Sequence, residues 1–493
     1  MNRNFVAAEV PEAVSPEVLG RAVRRASFWI VLTAFTAVAL ATQPIETTAA
    51  IVIFVAGSYF GANRPDLALA AIALSVPVQR TLLLGYGDTT VTVTKVILWS
   101  TIIGWLLAVA KGKSKVVINR LILGAIGVTI GMVLSAWNAS GVGLWAGETY
   151  RWVALVPVCM LAVASYQARW SPVPVLMATA FGTMFCFAAA VWQVAAEIGP
   201  PSFESRGLMR STGPFGHPNQ LALYFELTTP LLIAVAVCVF RSRPSGLFGE
   251  AARRWTPLWL LGAGCGTLGL LLSQSRGGSV GMVVGITAAL LMINRDVRSS
   301  MRKAVYITSL IVVAGSGALI QYLDSGALLS SNREVQVEPG NFAVEERLAH
   351  WAAGVEMART NPILGVGAGN YDERFRESTI NWRFRIGRGH AHNTYLHMLA
   401  QGGFVTYSAY LAFVMVIGSV LVAAVRNAKA PLTVGIVAGA TGVSAALLAH
   451  GVFEYIHVLS LNLQMAIIWS LVAALGTWGE NTVPGAIMAA EEL

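Results

Sequence analysis

Along this chain the apolar positions come in long unbroken blocks, not in the alternation of a half-buried strand or the stripe of a soluble helix. Blocks fall near 28–42, 47–62, 67–79, 96–110, 121–137, 152–166, 174–195, 221–240, 256–272, 279–293, 304–320, 404–425, 432–449 and 457–475. Each is long enough, or nearly so, for a tilted helix across about 30 Å of hydrocarbon, the third and fourth being the weakest. The pattern therefore predicts an all-α polytopic membrane protein, a bundle of about 12–14 transmembrane helices. It divides into about eleven spans over residues 1–320, one large extracytoplasmic loop over 321–396, and about three spans over 397–493.

Within the large loop, "VEERLAHWAAGVEMARTNPILGVGAGNY" opens as an amphipathic helix with Leu348, Trp351 and Val355 on one side, stopped by Asn361-Pro362. Such a helix suits a membrane surface, apolar face down. Gly365, Gly367 and Gly369 follow as a turn that either approaches a ligand closely or simply connects. Further on, Asn393 or Thr394 can cap a helix carrying Leu396, Leu399 and Ala400, which Gly402-Gly403 can close. Small residues at Gly435, Ala438, Gly439 and Gly442 suit close helix packing.

Composition strengthens this picture: 55% of residues are hydrophobic and 12% charged, which excludes an ordinary soluble domain. The net charge of +9 is mostly a topology signal. With a cytoplasmic N-terminus, 20 Lys and Arg fall inside and six outside, the large loop set aside, and that loop lies outside. No basic face on a soluble module points to nucleic acid. Ala39-Leu40-Ala41 resembles a signal-peptide cleavage site, but with so many spans behind it an uncleaved first helix is the simpler reading. Cys159, Cys186, Cys238 and Cys265 sit within predicted spans, form no C-x-x-C pair, and read as small core residues.

Candidate chemistry gathers on the outer side. All seven histidines, His217, His350, His390, His392, His397, His450 and His457, map there. Histidine is the side chain best suited to moving protons near neutral pH. His392 lies at a helix start, where free backbone N–H groups favour an anion. Arg210 opens "RSTGPFGHPNQLAL" and Arg276 lies in "SQSRGGSVG", each outside and beside glycine. Arg374, Arg376, Arg383, Arg385 and Arg388 form a rim with one acid, Glu377, suited equally to phosphate and to anionic lipid head groups. Glu226, a short way past His217, can orient that histidine, contact sugar, or make a helix–helix hydrogen bond. No D-x-D occurs, and His390 and His392 are two apart, a spacing that does not share one helix face, so no metal and no cofactor is expected, with zinc held by these two and another histidine as the lesser reading.

Arg210…Gly213-Pro214-Phe215…His217-Pro218-Asn219, Ser275-Arg276-Gly277, "RLAHW…NPILGVGAGNY" and His392-Asn393-x-x-Leu396…Gly402 occur in this order. The combination resembles the O-antigen ligase and O-antigen polymerase superfamily of bacterial membrane glycosyltransferases, over about residues 205–475. The resemblance implies a multi-pass protein of the cytoplasmic (inner) membrane, its site facing the periplasm or outside. It implies inverting, metal-independent transfer of a glycan from undecaprenyl diphosphate to an acceptor hydroxyl on a lipid, a growing polysaccharide or another acceptor, in lipopolysaccharide or exopolysaccharide biosynthesis. Arg210 and Arg276 would then hold the diphosphate and His392 act as base or donor-positioning group. Arg347, His217, Asn219, His390, Asn393, Arg388 and Glu226 would support them. The alternative is a transporter or flippase for an anionic lipid-linked substrate, which predicts mid-span charges, broken helices and two related halves.

Overall fold

In a computed structural model of the chain, the described residues are 45–79, 83–86, 89–200, 203–205, 208–243, 248–294, 342–377 and 389–476, with positions 33 and 245. Thr33 aside, the expected spans at 28–42 and 304–320 lie outside them, as do Arg383, Arg385 and Arg388. Helices α1 (Ile45–Asn63) and α2 (Pro65–Ser75) lead into an antiparallel hairpin, β1 (Leu83–Tyr86) and β2 (Thr89–Thr92), with Leu83 opposite Thr92. Helices α3 (Val93–Ala110), α4 (Arg120–Leu134), α5 (Val142–Gln167) and α6 (Val173–Ala195) follow, then a minimal pairing of β3 (Glu204–Ser205) with β4 (Leu208–Met209). The remainder is α7 (Pro218–Arg241), α8 (Gly249–Arg254), α9 (Thr256–Ser273), α10 (Arg276–Ile293), α11 (Phe342–Thr360), α12 (Tyr371–Glu377), α13 (Thr394–Asn427), α14 (Pro431–His450) and α15 (Leu461–Leu475).

Nine of the described helices are long and apolar enough to cross a bilayer. The fold is an all-α polytopic membrane protein, as the apolar blocks predict. The expected span at 67–79 is different: α2 has eleven residues and rises only about 17 Å. Pro77 follows it, and the helix is instead packed into the bundle, with Leu69, Ile72 and Ala73 fully buried.

Helix α7 forms the axis of the site half. Nearly all of it is buried, because small residues on its neighbours let backbones close on it. A Cβ added at Gly439 of α14 would meet Leu231 Cα at 2.6 Å, and one at Gly435 would meet Val235 Cα at 2.8 Å. Helix α10 comes in the same way: a Cβ at Gly278 would meet Ala222, and one at Gly281 would meet Glu226. The expected packing role of the small-residue run in α14 is what the structure contains.

Helix α13 is 34 residues long, too long for one crossing, and it breaks inside at Gly403 (φ 61°, ψ −165°). The segment after α11 fills the break. Phe404 and Val405 donate backbone N–H groups to the carbonyls of Pro362 (2.7 Å) and Ile363 (3.2 Å). Val366 and Gly367 donate to the carbonyls of Ala400 (2.9 Å) and Gln401 (3.0 Å). Every backbone group freed by the kink that these bonds reach is satisfied by protein, which is what apolar surroundings demand. Gly365, Gly367 and Gly369 all have positive φ, and Cβ atoms there would strike Gln401, Ala139 and Leu144 backbone. These glycines bring the loop against the bundle; they do not line a ligand turn.

Helix α11 ends at Thr360, just ahead of Asn361-Pro362. Val355, with Ala353 and Met357, is packed with Tyr371, Phe375, Leu396 and Ala400 in a small second core. Of the face expected on the membrane surface, Val355 is thus buried against protein and Trp351 packs partly buried beside it.

Candidate functional site

One end of the bundle collects the starts of α7, α10 and α13, the end of α14 and the residues that follow it. Each approach is pinned locally. Asn393 caps α13, its Oδ1 accepting from Leu396 N at 3.0 Å, while its Nδ2 donates to Val452 O at 3.0 Å. Thr394 donates its hydroxyl to Glu454 O (2.8 Å) and accepts from Ile456 N (3.1 Å), sewing the 451–456 turn to the start of α13. Ser275 caps α10 by accepting from Gly278 N, which places Arg276 at the first helical position, exposed. Arg210 is fixed by its Nε donating to Ser273 O at 3.1 Å.

At the centre stands Glu454. Its Oε1 lies 3.2 Å from His392 Nδ1 and 3.3 Å from His390 Nδ1, and accepts from Tyr455 N at 3.1 Å. Its Oε2 accepts from Asn219 Nδ2. Asn219 Oδ1 in turn accepts from Ser275 Oγ (3.0 Å) and Arg210 Nη2 (3.3 Å). A continuous hydrogen-bonded line thus runs from His392 through Glu454 and Asn219 to Arg210. His392 Nε2 is buried and has no hydrogen-bond partner among the described residues.

Burial works to raise the Glu454 carboxyl, but the imidazoles of His392 and His390 and the hydrogen bond from His392 hold it well below the usual carboxylate range. Burial within the cluster pushes His390 down to about 3, with His392, His217 and Arg151 adding to it and Glu454 opposing. Burial also lowers Arg210, and the positive charges of Arg347 and Arg276 lower it further, while Glu454 counteracts. Three guanidinium groups from separate parts of the chain therefore converge closely enough to repel, an arrangement that favours a polyanion between them.

His217 caps α7, its Nδ1 accepting from Asn219 N at 3.2 Å, and packs edge-on against Phe203. Glu226 does not reach it. Glu226 Oε2 lies 2.9 Å from His450 Nδ1, both side chains fully buried below the site, so that acid orients a histidine other than the expected one. Glu226 is two turns further along α7 than His217, and of its open readings the helix–helix hydrogen bond is the one the structure contains. Of the other histidines, His350 stacks on Phe375 (4.0 Å) and contacts His392 edge-on (5.3 Å); His397 packs on Tyr455 (4.1 Å); His457 bonds Asn462 and Tyr410. In the rim, Arg374 pairs with Glu377 (2.8 Å) and Arg376 with Asp372 (3.7 Å), so these two are already neutralised.

The spacing argument against a shared metal does not survive. Residues 389–393 are not helical and His392 has φ 49°, so His390 and His392 both turn Nδ1 to Glu454. The ligating atoms of His390, His392 and Glu454 lie within 4.8 Å of one another, a His–His–carboxylate set of the kind that holds a divalent cation. The carboxylate was the missed residue. "HGVFEYIH" at 450–457 holds an acid between two histidines at a span end, and that was its only trace in the sequence.

These features define a polytopic membrane protein with an arginine-walled histidine–glutamate site at one end of its bundle. Residues 261–411 match the family model described as O-antigen ligase, which supports the O-antigen ligase and polymerase superfamily for this chain. The matched stretch contains Arg276, Arg347, His390, His392 and Asn393, whereas Arg210, Asn219 and Glu454 lie outside it. Among curated proteins none matches the chain.

Proposed function

We propose that this chain is an inverting glycosyltransferase that moves a glycan from undecaprenyl diphosphate to an acceptor hydroxyl at the outer face of the cytoplasmic membrane. The observation that carries the reading is the line His392–Glu454–Asn219–Arg210, which joins a base to an anion cradle. Glu454 accepts a hydrogen bond from His392 Nδ1–H, leaving the Nε2 lone pair for the acceptor O–H. The acceptor oxygen bonds to the anomeric carbon, its proton passes to Nε2, and the carbon–oxygen bond to the diphosphate breaks. The leaving diphosphate carries its charge onto Arg210 and Arg276, with Arg347 beside them, in place of a metal. Charge-assisted bonds of this kind are worth about 1.5–3 kcal/mol each.

The charge distribution supports this location. Lys111, Lys113, Lys115, Arg120, Arg169, Arg253, Arg254, Arg426 and Lys429 cluster at the end of the bundle opposite the site, which supports a site facing the periplasm or outside. On this reading 205–475 is the catalytic region, and the loop 321–396 contributes Arg347 and His392. The test is transfer from a labelled undecaprenyl-diphosphate glycan by the purified chain, following both released undecaprenyl diphosphate and product length. Release coupled to glycosylated acceptor supports the proposal; protein-dependent movement of the intact lipid across the bilayer without product would replace it with a transporter.

A further inference from the structure

A second cleft opens at the same end of the bundle between the first two turns of α3, the first turn of α15 and the third turn of α5. Its polar lining is made of donors: Lys95, Arg151, Tyr150, Ser460 and Asn462. No aspartate or glutamate is among the described residues that line it. Lys95 has no carboxylate partner among the described residues and lies 5.3 Å over the Tyr150 ring. Tyr150 Oη already accepts from Trp99 Nε1 at 2.9 Å, which leaves its own O–H to donate. Arg151 commits one nitrogen to Glu148 and keeps its remaining N–H groups.

The decisive group is Asn462. Its Oδ1 lies 2.9 Å from His457 Nδ1, and His457 Nε2 lies 3.1 Å from Tyr410 Oη; with the Tyr410 hydroxyl donating to Nε2, the amide oxygen accepts from Nδ1–H. Its Nδ2 is then a buried donor with no partner among the described residues, although the side chain is only 1% exposed. An unmet buried donor costs about 1–3 kcal/mol, so a site that retains one beside two cations is built for an acceptor. Leu98, Ala154 and Leu463 continue the wall with apolar surface, which suits a molecule that is itself embedded in the membrane.

We infer that this cleft is a second anion site, separate from the arginines around Glu454, that receives the phosphate of a membrane-embedded lipid. Tyr455 connects the two, donating its hydroxyl to Glu148 Oε1 at 2.6 Å directly after Glu454 in the chain. Two kinds of lipid carry this chemistry, a phospholipid and a phosphorylated glycolipid acceptor.

The experiment is native mass spectrometry of the full-length chain in neutral detergent with dimyristoyl phosphatidic acid, and with dimyristoyl phosphatidylcholine as the zwitterionic control. A second arm uses a glucosamine disaccharide lipid bearing one phosphate monoester. Lys95→Gln removes the exposed cation with little risk to the fold, and Asn462→Asp keeps the His457 contact while replacing the donor by an anion. Loss of one charge-assisted bond should weaken phosphate-lipid retention about tenfold or more in either variant, with Arg276→Ala unchanged. Retention of both phosphate lipids marks the phosphate alone as what is read, and retention of the glycolipid alone marks an acceptor; either supports the site. Retention unaffected by both cleft variants, lost equally in Arg276→Ala, or absent for both lipids overturns it. None of these readouts depends on transfer activity, so failure here is distinct from failure of the proposed reaction.

Discussion

Glu454 stands 62 positions beyond His392 in the chain and 3.2 Å from it in space, carboxylate oxygen against imidazole Nδ1. Glu454→Gln keeps the shape and removes the charge that holds the ring. Turnover should fall by about 10²-fold, toward the loss expected for His392→Ala, which removes a positioned base worth ~10²–10⁴. The check is initial rates of labelled glycan transfer by both variants and the double variant. If the two losses multiply, the residues act independently and the coupling is absent.

The same pair sets an acid limit. The Glu454 carboxyl is held below its ordinary value of 4.5, so its stabilisation is fully present above that value and is lost as pH falls through the lower folded value. Thermal melting followed from pH 7 down to 3 should show a drop below pH ~4.5 that Glu454→Gln lacks. An identical acid dependence in both proteins would remove Glu454 as its source.

Much of this was legible from residue order, and the rest was not, for physical reasons. Long apolar blocks and their charged flanks predict spans because a bilayer imposes length and backbone satisfaction on every crossing. Thus α3 to α7, α9 and α10 fall where the blocks do, Asn393 caps α13 as its type suggests, and Arg210 and Arg276 are brought to one end with His392. Contacts between distant segments leave no periodic trace. Glu454 is visible only as an acid at a span end, and of the three readings open to Glu226 the structure contains the helix–helix hydrogen bond, to a partner, His450, that is 224 positions away. The local reading also failed at His390 and His392, since a helical face was assumed where the backbone turns left-handed.

Asn219 joins Glu454 to Arg210, giving its Nδ2 to the first and accepting from Ser275 and from the second, and so links the proposed base to the proposed anion cradle. Asn219→Asp replaces a donor facing a carboxylate with a second carboxylate. Steady-state kinetics should show both kcat and donor affinity lowered, the latter because Arg210 acquires a permanent counter-ion. Asn219→Ala should lower kcat with a smaller effect on donor KM, and equal KM effects in the two variants would count against this role.

Glu226 and His450 form a fully buried pair beneath the site. Breaking one side should cost about 3–5 kcal/mol, because it strands a polar group in an apolar interior, whereas replacing both with apolar residues costs far less. Thermal melting of Glu226→Leu, His450→Leu and the double variant should therefore show the double variant more stable than either single one. Additive losses would mean that the two groups do not sense each other.

Gly403 holds the break in α13 with φ 61° and ψ −165°, and a Cβ there would lie 2.4 Å from Ile363 O and its carbonyl carbon. Gly403→Ala should destabilise the chain by about 3 kcal/mol or more from backbone strain and that clash. The turns ahead of the kink carry Asn393 and Thr394, so transfer should fall even in molecules that remain folded. Activity normalised to the folded fraction separates the two effects.

Chelation distinguishes the two chemistries that the His390, His392 and Glu454 cluster admits. If guanidinium groups neutralise the departing diphosphate, transfer persists in excess chelator and is lost in Arg210→Ala and Arg276→Ala. A bound divalent cation would instead occupy His392 Nδ1 and Glu454 and make chelation and His390→Ala equally damaging. The expected outcome is full turnover in chelator, with metal content of the active protein below one equivalent. The arginines support it: three of them already crowd the region that a cation would have to share, and Arg210 is lowered by burial and then by that crowding. Added positive charge there would be repelled, whereas a diphosphate would relieve it.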